Sequence, residues 1–208
     1  YTNITQFAES IRPVHDLDGN MISNGVWTYT WDAANQLTAA YSNSVCVVSN
    51  AYDHAGRRML KVTPTGTHTY IYDGWNLVQE TVQTAQSTVT NWFVWGRDLS
   101  GTLQGAGGVG GLLAVCKNGA WYFPFYDNNG NVIAYVDESG AVVAEYVYDA
   151  FGETISKTGS MADVFAHRFS TKYFDAETGL NYYGYRFYSP ALRRWLNRDP
   201  IEEEGGFN

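Results

Sequence analysis

Short runs of alternating apolar and polar residues recur along nearly the whole chain. Residues 27–31 read Trp-Thr-Tyr-Thr-Trp, and residues 131–136 and 141–146 each extend from one group of turn residues to the next. A period of two places every second side chain on the same face of a strand. Runs of about six residues bounded by turn residues are typical of strands joined by tight connections. The pattern predicts an all-β fold.

The runs are separated by a recurring unit: an aromatic or apolar residue, then Asp, then two residues, then Gly or Asn. The Asp residues of the clear copies, with the glycines of the last three, are Asp32, Asp53, Asp73, Asp127 with Gly130, Asp137 with Gly140, and Asp149 with Gly152. A weaker copy precedes Gly19, and a longer one extends from Asp175 to Gly179. Asp at the first position of a turn accepts hydrogen bonds from backbone N–H groups ahead of it, and Gly or Asn tolerates the left-handed conformation that ends it. Each copy therefore predicts the tip of a β-hairpin.

The spacing of these tips indicates how the hairpins are connected. Asp127, Asp137 and Asp149 lie 10 and 12 residues apart, the spacing of a meander, whereas the earlier tips lie about 20 apart, with room for one more turn of different sequence. Hairpins that each bury one face against the next form a long, continuous curved strip of sheet. The aromatic residue before each Asp is predicted to cover the core face of this strip and to have a structural role.

Composition agrees with strands and excludes two function classes. The chain has 16 Tyr, 7 Trp, 10 Phe and 21 Gly among 208 residues, and aromatic residues favour strands. A net charge of -8 argues against nucleic-acid binding, which depends on clustered Lys and Arg. The sequence also has no apolar run of the roughly 20 residues that a membrane helix needs. Cys46 and Cys116 lie in apolar runs and are predicted to be buried free thiols, with a long-range disulfide as the alternative.

Motifs for cofactors and metals lack the context that their chemistry needs. Gly105, Gly107 and Gly110 satisfy G-x-G-x-x-G, but a dinucleotide site needs that loop to open a helix after a parallel strand, and the residues after Gly110 resemble another hairpin. Asp16 and Asp18 alternate like a calcium loop without the Glu that would complete it. The four histidines show no ligand spacing. No cofactor and no metal is predicted.

At most one short helix is predicted, near 160–169, in an otherwise all-β chain. Ser160 could cap it, with Asp163 three residues later in the position of a capping-box acid.

The sequence motifs of residues 144–200 resemble those of a known family. They contain Ala-Glu-Tyr-Val-Tyr-Asp-Ala-Phe-Gly, then Tyr-Phe-Asp-Ala-Glu-Thr-Gly, then Tyr-Tyr-Gly-Tyr-Arg-Phe-Tyr-Ser-Pro, and they end on Arg-Trp-Leu-Asn-Arg-Asp-Pro. These motifs are similar to those of the core domain of RHS (YD-repeat) proteins, and the turn units resemble the repeats of the same proteins. The resemblance implies repeats at 1–143 and a core domain at 144–208. It also implies a hollow β-shell that holds a C-terminal toxic segment and is closed by the core domain as a plug.

The resemblance also implies a site at Arg198-Asp199-Pro200. Toxin-bearing members cleave themselves with acidic residues in Asp-Pro motifs, and Asp199 matches the first of these, with Arg198 as the basic helper. The second Asp-Pro is not in this sequence, and Ile201-Glu202 departs from the family's Ile-Gly. One carboxylate cannot supply both an acid and a base. The chain is therefore predicted to be non-enzymatic, with half of a self-cleavage site; the alternative is that Asp199 pairs with Arg194 or Arg198 and caps a turn.

The predicted function is a structural scaffold. By resemblance the chain is a slice of a shell, a few turns of sheet with the plug-side end, that encloses or delivers a toxin in a secreted or surface-displayed bacterial protein. Its partners are then the rest of the shell and the cargo. Two alternatives remain open: an extracellular adhesion module that self-associates into filaments through open sheet edges, and carbohydrate binding by exposed aromatic residues.

Overall fold

The computed structural model of the chain describes residues 12–200. Strands that follow one another in the sequence form a 14-stranded antiparallel sheet, each paired to the next. They are β1 (Val14–His15), β2 (Met21–Ser23), β3 (Trp27–Trp31), β4 (Leu37–Ser42), β5 (Val45–Tyr52), β6 (Arg58–Thr63), β7 (Gly66–Asp73), β8 (Asn76–Gln83), β9 (Thr88–Trp95), β10 (Leu112–Lys117), β11 (Ala120–Tyr126), β12 (Val132–Asp137), β13 (Val142–Tyr148) and β14 (Thr154–Thr158). The predicted all-β fold of consecutive antiparallel hairpins is confirmed.

The period of two decides which face of the long sheet is buried. In β3, Tyr29 is buried while its neighbours Thr28 and Thr30 are exposed. Tyr70, Phe93 and Tyr135 are buried in the same way in β7, β9 and β12. Burying one such side chain stabilises the fold by roughly 2 kcal/mol. The strip therefore has one core-facing side, rich in tyrosine.

The aromatic residue before each turn Asp links one hairpin to the preceding one. It lies at a β-bulge, where the register of its strand shifts by one residue. Its ring donates a hydrogen bond to a backbone carbonyl on the core face. The donor–acceptor pairs are Trp31 to Met21, Tyr52 to Leu37, Tyr72 to Arg58, Tyr126 to Leu112 and Tyr148 to Val132. These hydrogen bonds join successive repeats and fix the rings in place.

The turns that follow these aromatic residues share one hydrogen-bond pattern. In the turn at Asp127, one carboxylate oxygen accepts the N–H groups of Asn129 and Asn131, both at 2.9 Å, and Gly130 has φ +75°. The same two acceptor bonds recur in the turns at Asp16, Asp32, Asp53, Asp137 and Asp149. Burial raises the pKa of the carboxylates of Asp53, Asp137 and Asp149, but these hydrogen bonds stabilise the charged form and outweigh it. The pKa values of all three are therefore lowered.

Asp73 is a correction to the predicted turn. Asp73 and Asn76 pair directly across β7 and β8, so the connection is the two residues Gly74 and Trp75, and Gly74 takes φ +58°. The N–H group two residues ahead of Asp73, that of Trp75, donates to the Gln104 side chain instead. This tip depends on glycine rather than on Asp.

Asp127→Ala is expected to lower the free energy of unfolding by about 1–2 kcal/mol, because turn N–H groups and the Asn131 amide lose their acceptor. Urea unfolding measures the change. Asp73→Ala is the matched control, since the Asp73 carboxylate makes no turn hydrogen bond, and it should leave the midpoint unchanged. Equal losses in the two variants would contradict this account of the turns.

Four short strands form a second antiparallel sheet: β15 (Tyr173–Asp175), β16 (Leu180–Tyr182), β17 (Phe187–Ser189) and β18 (Arg194–Trp195). We call residues 160–199 the plug, because they cover the core face of the long sheet. Phe165 stacks on Tyr135 at 3.8 Å between ring centroids, and Tyr173 meets Tyr70 edge-on at 5.6 Å. The long sheet and the plug thus share one hydrophobic core.

The long sheet curves around the plug. Trp27 of β3 and Ile155 of β14, from opposite ends of the strand order, line one cleft of about 640 Å³ together with Leu180 and Pro190 of the plug. The break between the two sheets lies between Thr158 and Tyr173. The domain boundary expected at 143/144 falls within β13, which belongs with β14 to the long sheet, and it stays a prediction. Residues 201–208 of the second domain lie outside the described residues.

The helix predicted near 160–169 does not form. Residues 160–164 are turns, and the helical assignment within 12–200 is one 3₁₀ turn at Phe169–Thr171. The reason is that the carbonyls a helix would use are taken by side chains. Arg168 donates to the carbonyls of Phe165 and Ala162, and Tyr146 also donates to Ala162. Tertiary hydrogen bonds replace the helical ones.

Candidate functional site

A buried ionic cluster joins the wall of the long sheet to the plug. Arg58 and Lys61 of β6 point to the core face and meet Asp175 of β15, all three side chains 1–2% exposed. Arg58 binds the carboxylate with both terminal nitrogens, at 2.6 and 3.1 Å, and Lys61 Nζ lies 3.0 Å from it. Lys61 also reaches Glu177 at 3.1 Å. Burial alone would raise the pKa of Asp175, but the two cations lower it below its usual value.

Aromatic rings surround the guanidinium of this cluster. The Arg58 Cζ atom lies 4.6 Å from the ring centroid of Tyr182 and 5.2 Å from those of Tyr70 and Tyr173. The backbone N–H of Arg58 donates to the Tyr182 hydroxyl at 2.8 Å. Cation–π contacts strengthen when water is excluded. The rings thus hold the cation in one position between wall and plug.

A second buried carboxylate lies next to the cluster. Glu80 of β8 accepts hydrogen bonds from Tyr173 at 2.5 Å and Asn91 at 2.9 Å, and its other neighbour is His68 Nδ1 at 2.9 Å. Burial would raise the pKa of Glu80, but the bonds from His68 and Tyr173 and the charge of Lys117 hold it far below its usual value. A general acid needs a raised pKa and access to a substrate. Both buried carboxylates are fixed anions, and their chemistry is structural.

Asp175 is a second correction to the predicted turns. Its backbone carbonyl accepts the N–H groups of Thr178 and Gly179 and so closes the loop, but its side chain turns away into the ionic cluster. The predicted turn has one residue more than the others, and the carboxylate is free to face the core. Arg58 is not among the residues that the sequence pattern singles out; the signal for its role is a charged residue at an inward strand position.

Asp199, the predicted site residue at the end of the plug, pairs with a different arginine from the two that were predicted. The Asp199 carboxylate forms an ion pair with Arg186 Nη2 at 2.9 Å, whereas the alternative had named Arg194 or Arg198. The guanidinium of Arg186 lies 4.0 Å from the ring centroid of Trp195, which orients it. Arg198 packs against Gly19 in the first turn. Asp199 and Arg198 together line a cleft of about 470 Å³ with residues of the first three Asp turns.

The plug is attached along one edge of the long sheet. We call this edge the turn rim; it carries the connections after β1, β3, β5, β7, β9, β11 and β13. The described bonds across it include Asn197 to the Asn35 carbonyl, Lys172 to the Gly107 carbonyl, Thr171 to the Gly130 carbonyl and Tyr188 to the Phe151 carbonyl. The plug therefore closes the turn rim from the second hairpin to the last.

Further predictions concern thiols, metals and membranes. Both cysteines are free; Cys116 is buried as predicted, but Cys46, at the second residue of β5, is exposed. Across residues 12–200 no group of three or more His, Cys, Asp or Glu side chains is arranged to hold a metal ion. None of the described segments is a helix long and apolar enough to cross a membrane. The glycine-rich run at 105–110 lies in the loop between β9 and β10.

A repeat-built β-strip closed along one edge by its own C-terminal segment defines a wall segment of a β-shell. The model of the Teneurin YD-shell family matches residues 2–204 of the chain. The chain belongs to this family, in agreement with the resemblance seen in the sequence. Its role is structural.

Relatives and solved structures share this wall segment. The chain is 35% identical over 192 residues to the tRNA3(Ser)-specific nuclease WapA of Bacillus spizizenii, covering 89% of this chain and 8% of the relative. It is 27% identical to double-stranded DNA deaminase toxin A of Burkholderia cenocepacia, covering 96% of this chain and 16% of that protein. The crystal structure of TcdB2-TccC3 matches with a TM-score of 0.72 and 21% identity over 93% of this chain and 10% of that one. The chain thus spans a small part of the length of these proteins.

Proposed function

We propose that this chain is the plug-side wall of a larger shell that encloses a C-terminal toxin domain and releases it for delivery. The observation that carries the proposal is the closure of the turn rim by the plug. A strip with one core face cannot enclose a cargo until its end is sealed, and the plug supplies that seal from the same chain. Relatives named as a nuclease and a deaminase toxin support a toxic cargo.

We further propose that the parent protein is secreted or displayed on a bacterial surface. The shell would then carry its cargo outside the producing cell. This chain supplies the wall, and a further segment of the parent supplies the toxic activity.

The finer proposal is self-cleavage that depends on Asp199. Arg186 holds its carboxylate beside the cleft at the turn rim, where Arg198 also lies. A second carboxylate from further along the chain would complete the acid and base pair. Cleavage at that point would free the cargo while the plug keeps the shell closed.

Intact-mass analysis of the chain extended by its native downstream sequence tests this proposal. The extended protein is expected to split into two pieces, and Asp199→Asn is expected to keep it whole, a loss of cleavage of at least about 100-fold by the usual size of a missing acid or base. Asp137→Asn, at a turn on the opposite end of the sheet from Asp199, is the control and should split normally. Cleavage in Asp199→Asn, or none in the unaltered chain, would refute the role of Asp199.

Enclosure is tested separately on the same extended protein. After cleavage, the released piece is expected to co-elute with the wall in gel filtration and to resist protease that digests it when free. Separation of the two pieces without denaturant would contradict enclosure, whatever the outcome for Asp199.

Filament formation through open edges is the second candidate, and β14 is the strand that could support it. Within the described residues, Thr154–Thr158 pair with β13 alone, and four of these five residues are exposed. The strand is short and carries Lys157, both of which are features that discourage edge-to-edge pairing. A chain that stays monomeric at high concentration in light scattering would reject the filament.

A further inference from the structure

A cavity of about 270 Å³ lies between the turn rim and the plug, separate from the Asp199 cleft but next to it, since Tyr185 lines both. Its walls come from four parts of the chain: the hairpin that joins β7 to β8, the end of β9, the loop between β9 and β10, and the plug. The side chains that define it are Trp75, Trp95, Tyr183, Tyr185, His167 and Lys172. Small-molecule sites in proteins are concave and mostly apolar, with a few placed polar groups. This cavity has that composition.

The aromatic walls are held in fixed positions. Trp75 packs on Tyr185, with ring centroids 4.4 Å apart and planes tilted by 54°. Gly184, at φ +93°, lets the backbone approach this indole, since a Cβ atom there would lie 3.1 Å from the ring. The second indole is fixed as well, since Trp95 Nε1 donates to the Leu77 carbonyl at 2.6 Å. Flat faces of this kind suit a flat ligand.

Lys172 brings a positive charge to the cavity without a carboxylate of its own. Its ammonium donates to the Gly107 carbonyl and lies 5.4 Å from the ring centroid of Tyr183, and it forms no ion pair within 4.0 Å among residues 12–200. Burial lowers the pKa of Lys172 to about 8, with Asp98 opposing the shift, so the side chain is still mostly charged at pH 7. An ammonium has three donors.

His167 supplies a second polar group. Its side chain is 4% exposed, and its Nδ1 atom has no hydrogen-bond partner among the described residues. The ring is held edge-on to Trp95 at 5.5 Å and to Tyr173 at 5.7 Å. A buried nitrogen without a partner is destabilising unless something bonds to it. His167 is one of the residues that line the cavity, which makes a polar group of an occupant the candidate partner for this nitrogen.

The lining contains no Asp or Glu side chain. Gln104 has its amide already engaged, since it accepts from the Trp75 N–H and donates to the Asp73 carbonyl. Sugar hydroxyls need acceptors, and carboxylates usually provide them; an anion instead needs the donors that are present here. We propose that this cavity binds a small aromatic carboxylate, its ring between Trp75 and Trp95, its carboxylate on Lys172 Nζ, and a polar substituent on His167 Nδ1.

The test is calorimetric titration at pH 7 with 6-hydroxy-2-naphthoate, a planar ring with a carboxylate at one end and a hydroxyl at the other. Saturable binding to one site is expected. The neutral 6-hydroxy-2-naphthamide should bind at least about tenfold more weakly, because it cannot form a charge-assisted bond with Lys172. Lys172→Met should weaken the acid about tenfold and leave the amide nearly unchanged, while Lys157→Met, a lysine on β14, should change neither.

The aromatic walls have a matched pair of variants as well. Trp75→Leu should weaken binding of both compounds, whereas Trp92→Leu, on the exposed side of β9, should not. Near-ultraviolet circular dichroism checks the fold of each variant; if Lys172→Met is misfolded, Lys172→Arg and the comparison of acid with amide on the unaltered chain decide. The proposal is overturned by an absence of saturable binding, by equal affinity for acid and amide, or by maltose binding in place of the naphthoate.

Discussion

Replacing Asp175 by Ala is expected to lower the free energy of unfolding by about 3–5 kcal/mol, the usual cost of removing one partner from a buried ion pair. The size of the effect follows from the cations left behind. Arg58 and Lys61 are 1–2% exposed and lie within 2.6–3.1 Å of this carboxylate. Without it, their charges stay in the core, and the remaining carboxylate in contact with them, that of Glu177, reaches only Lys61. Urea unfolding followed by tryptophan fluorescence gives the change.

Two further variants separate charge from contact. Asp163→Ala removes an exposed carboxylate that pairs with Lys157, and it should change stability by less than about 1 kcal/mol, as is usual for surface pairs. The triple variant Arg58→Met, Lys61→Met, Asp175→Leu removes all three charges and should recover much of the loss, since apolar replacements of buried ion pairs are often neutral. A loss below about 1 kcal/mol in Asp175→Ala would show that the cluster does not fasten the plug.

The parts of this fold that the sequence predicts are local. An Asp turn is specified within five residues, because the carboxylate of Asp127 bonds N–H groups two and four positions ahead. The alternation within a strand is also local. The turns and the alternation can therefore be predicted without knowing what packs on the sheet. The pairing of each strand with the next follows from their repetition.

The contacts that attach the plug join distant positions. Arg58 and Asp175 are 117 residues apart, and the pattern of neither strand specifies the other. The same limit explains the helix near 160–169: its capping signal is local, but Arg168 and Tyr146 take the carbonyls that it needed. The partner of Asp199 was missed for this reason too, because Arg186 is brought to it by the hairpins of the plug.

Acidification from pH 7 to pH 4 is expected to lower the free energy of unfolding of the unaltered protein. The loss should exceed that of the His167→Phe variant by about 3 kcal/mol. His167 is buried against Phe93, Trp95 and Tyr173. Burial lowers its pKa to about 3, opposed by the charge of Glu80 and assisted by those of Lys117 and Lys172. In the unfolded chain a histidine takes up its proton near about pH 6.5.

The direction of the effect follows from proton counting. Between about pH 6.5 and pH 3 the unfolded state binds a proton at this position and the folded state does not, so stability falls as the pH falls. The stabilising contribution is complete above about pH 6.5 and is lost progressively towards about pH 3. Glu80 and Asp175, whose pKa values are lowered, add losses in the same direction, but mainly below about pH 5.

Urea unfolding at pH 7, 6, 5 and 4 measures the slope of stability against pH for each protein. Phenylalanine at position 167 can change the free energy of unfolding by an amount that does not depend on pH. Because this amount is the same at every pH, it does not affect the slope. His54→Gln, at an exposed position in the turn at Asp53, is the control and should keep the slope of the unaltered protein. If His167→Phe also keeps that slope, the buried neutral imidazole does not set the acid sensitivity, and the carboxylates of the ionic cluster do.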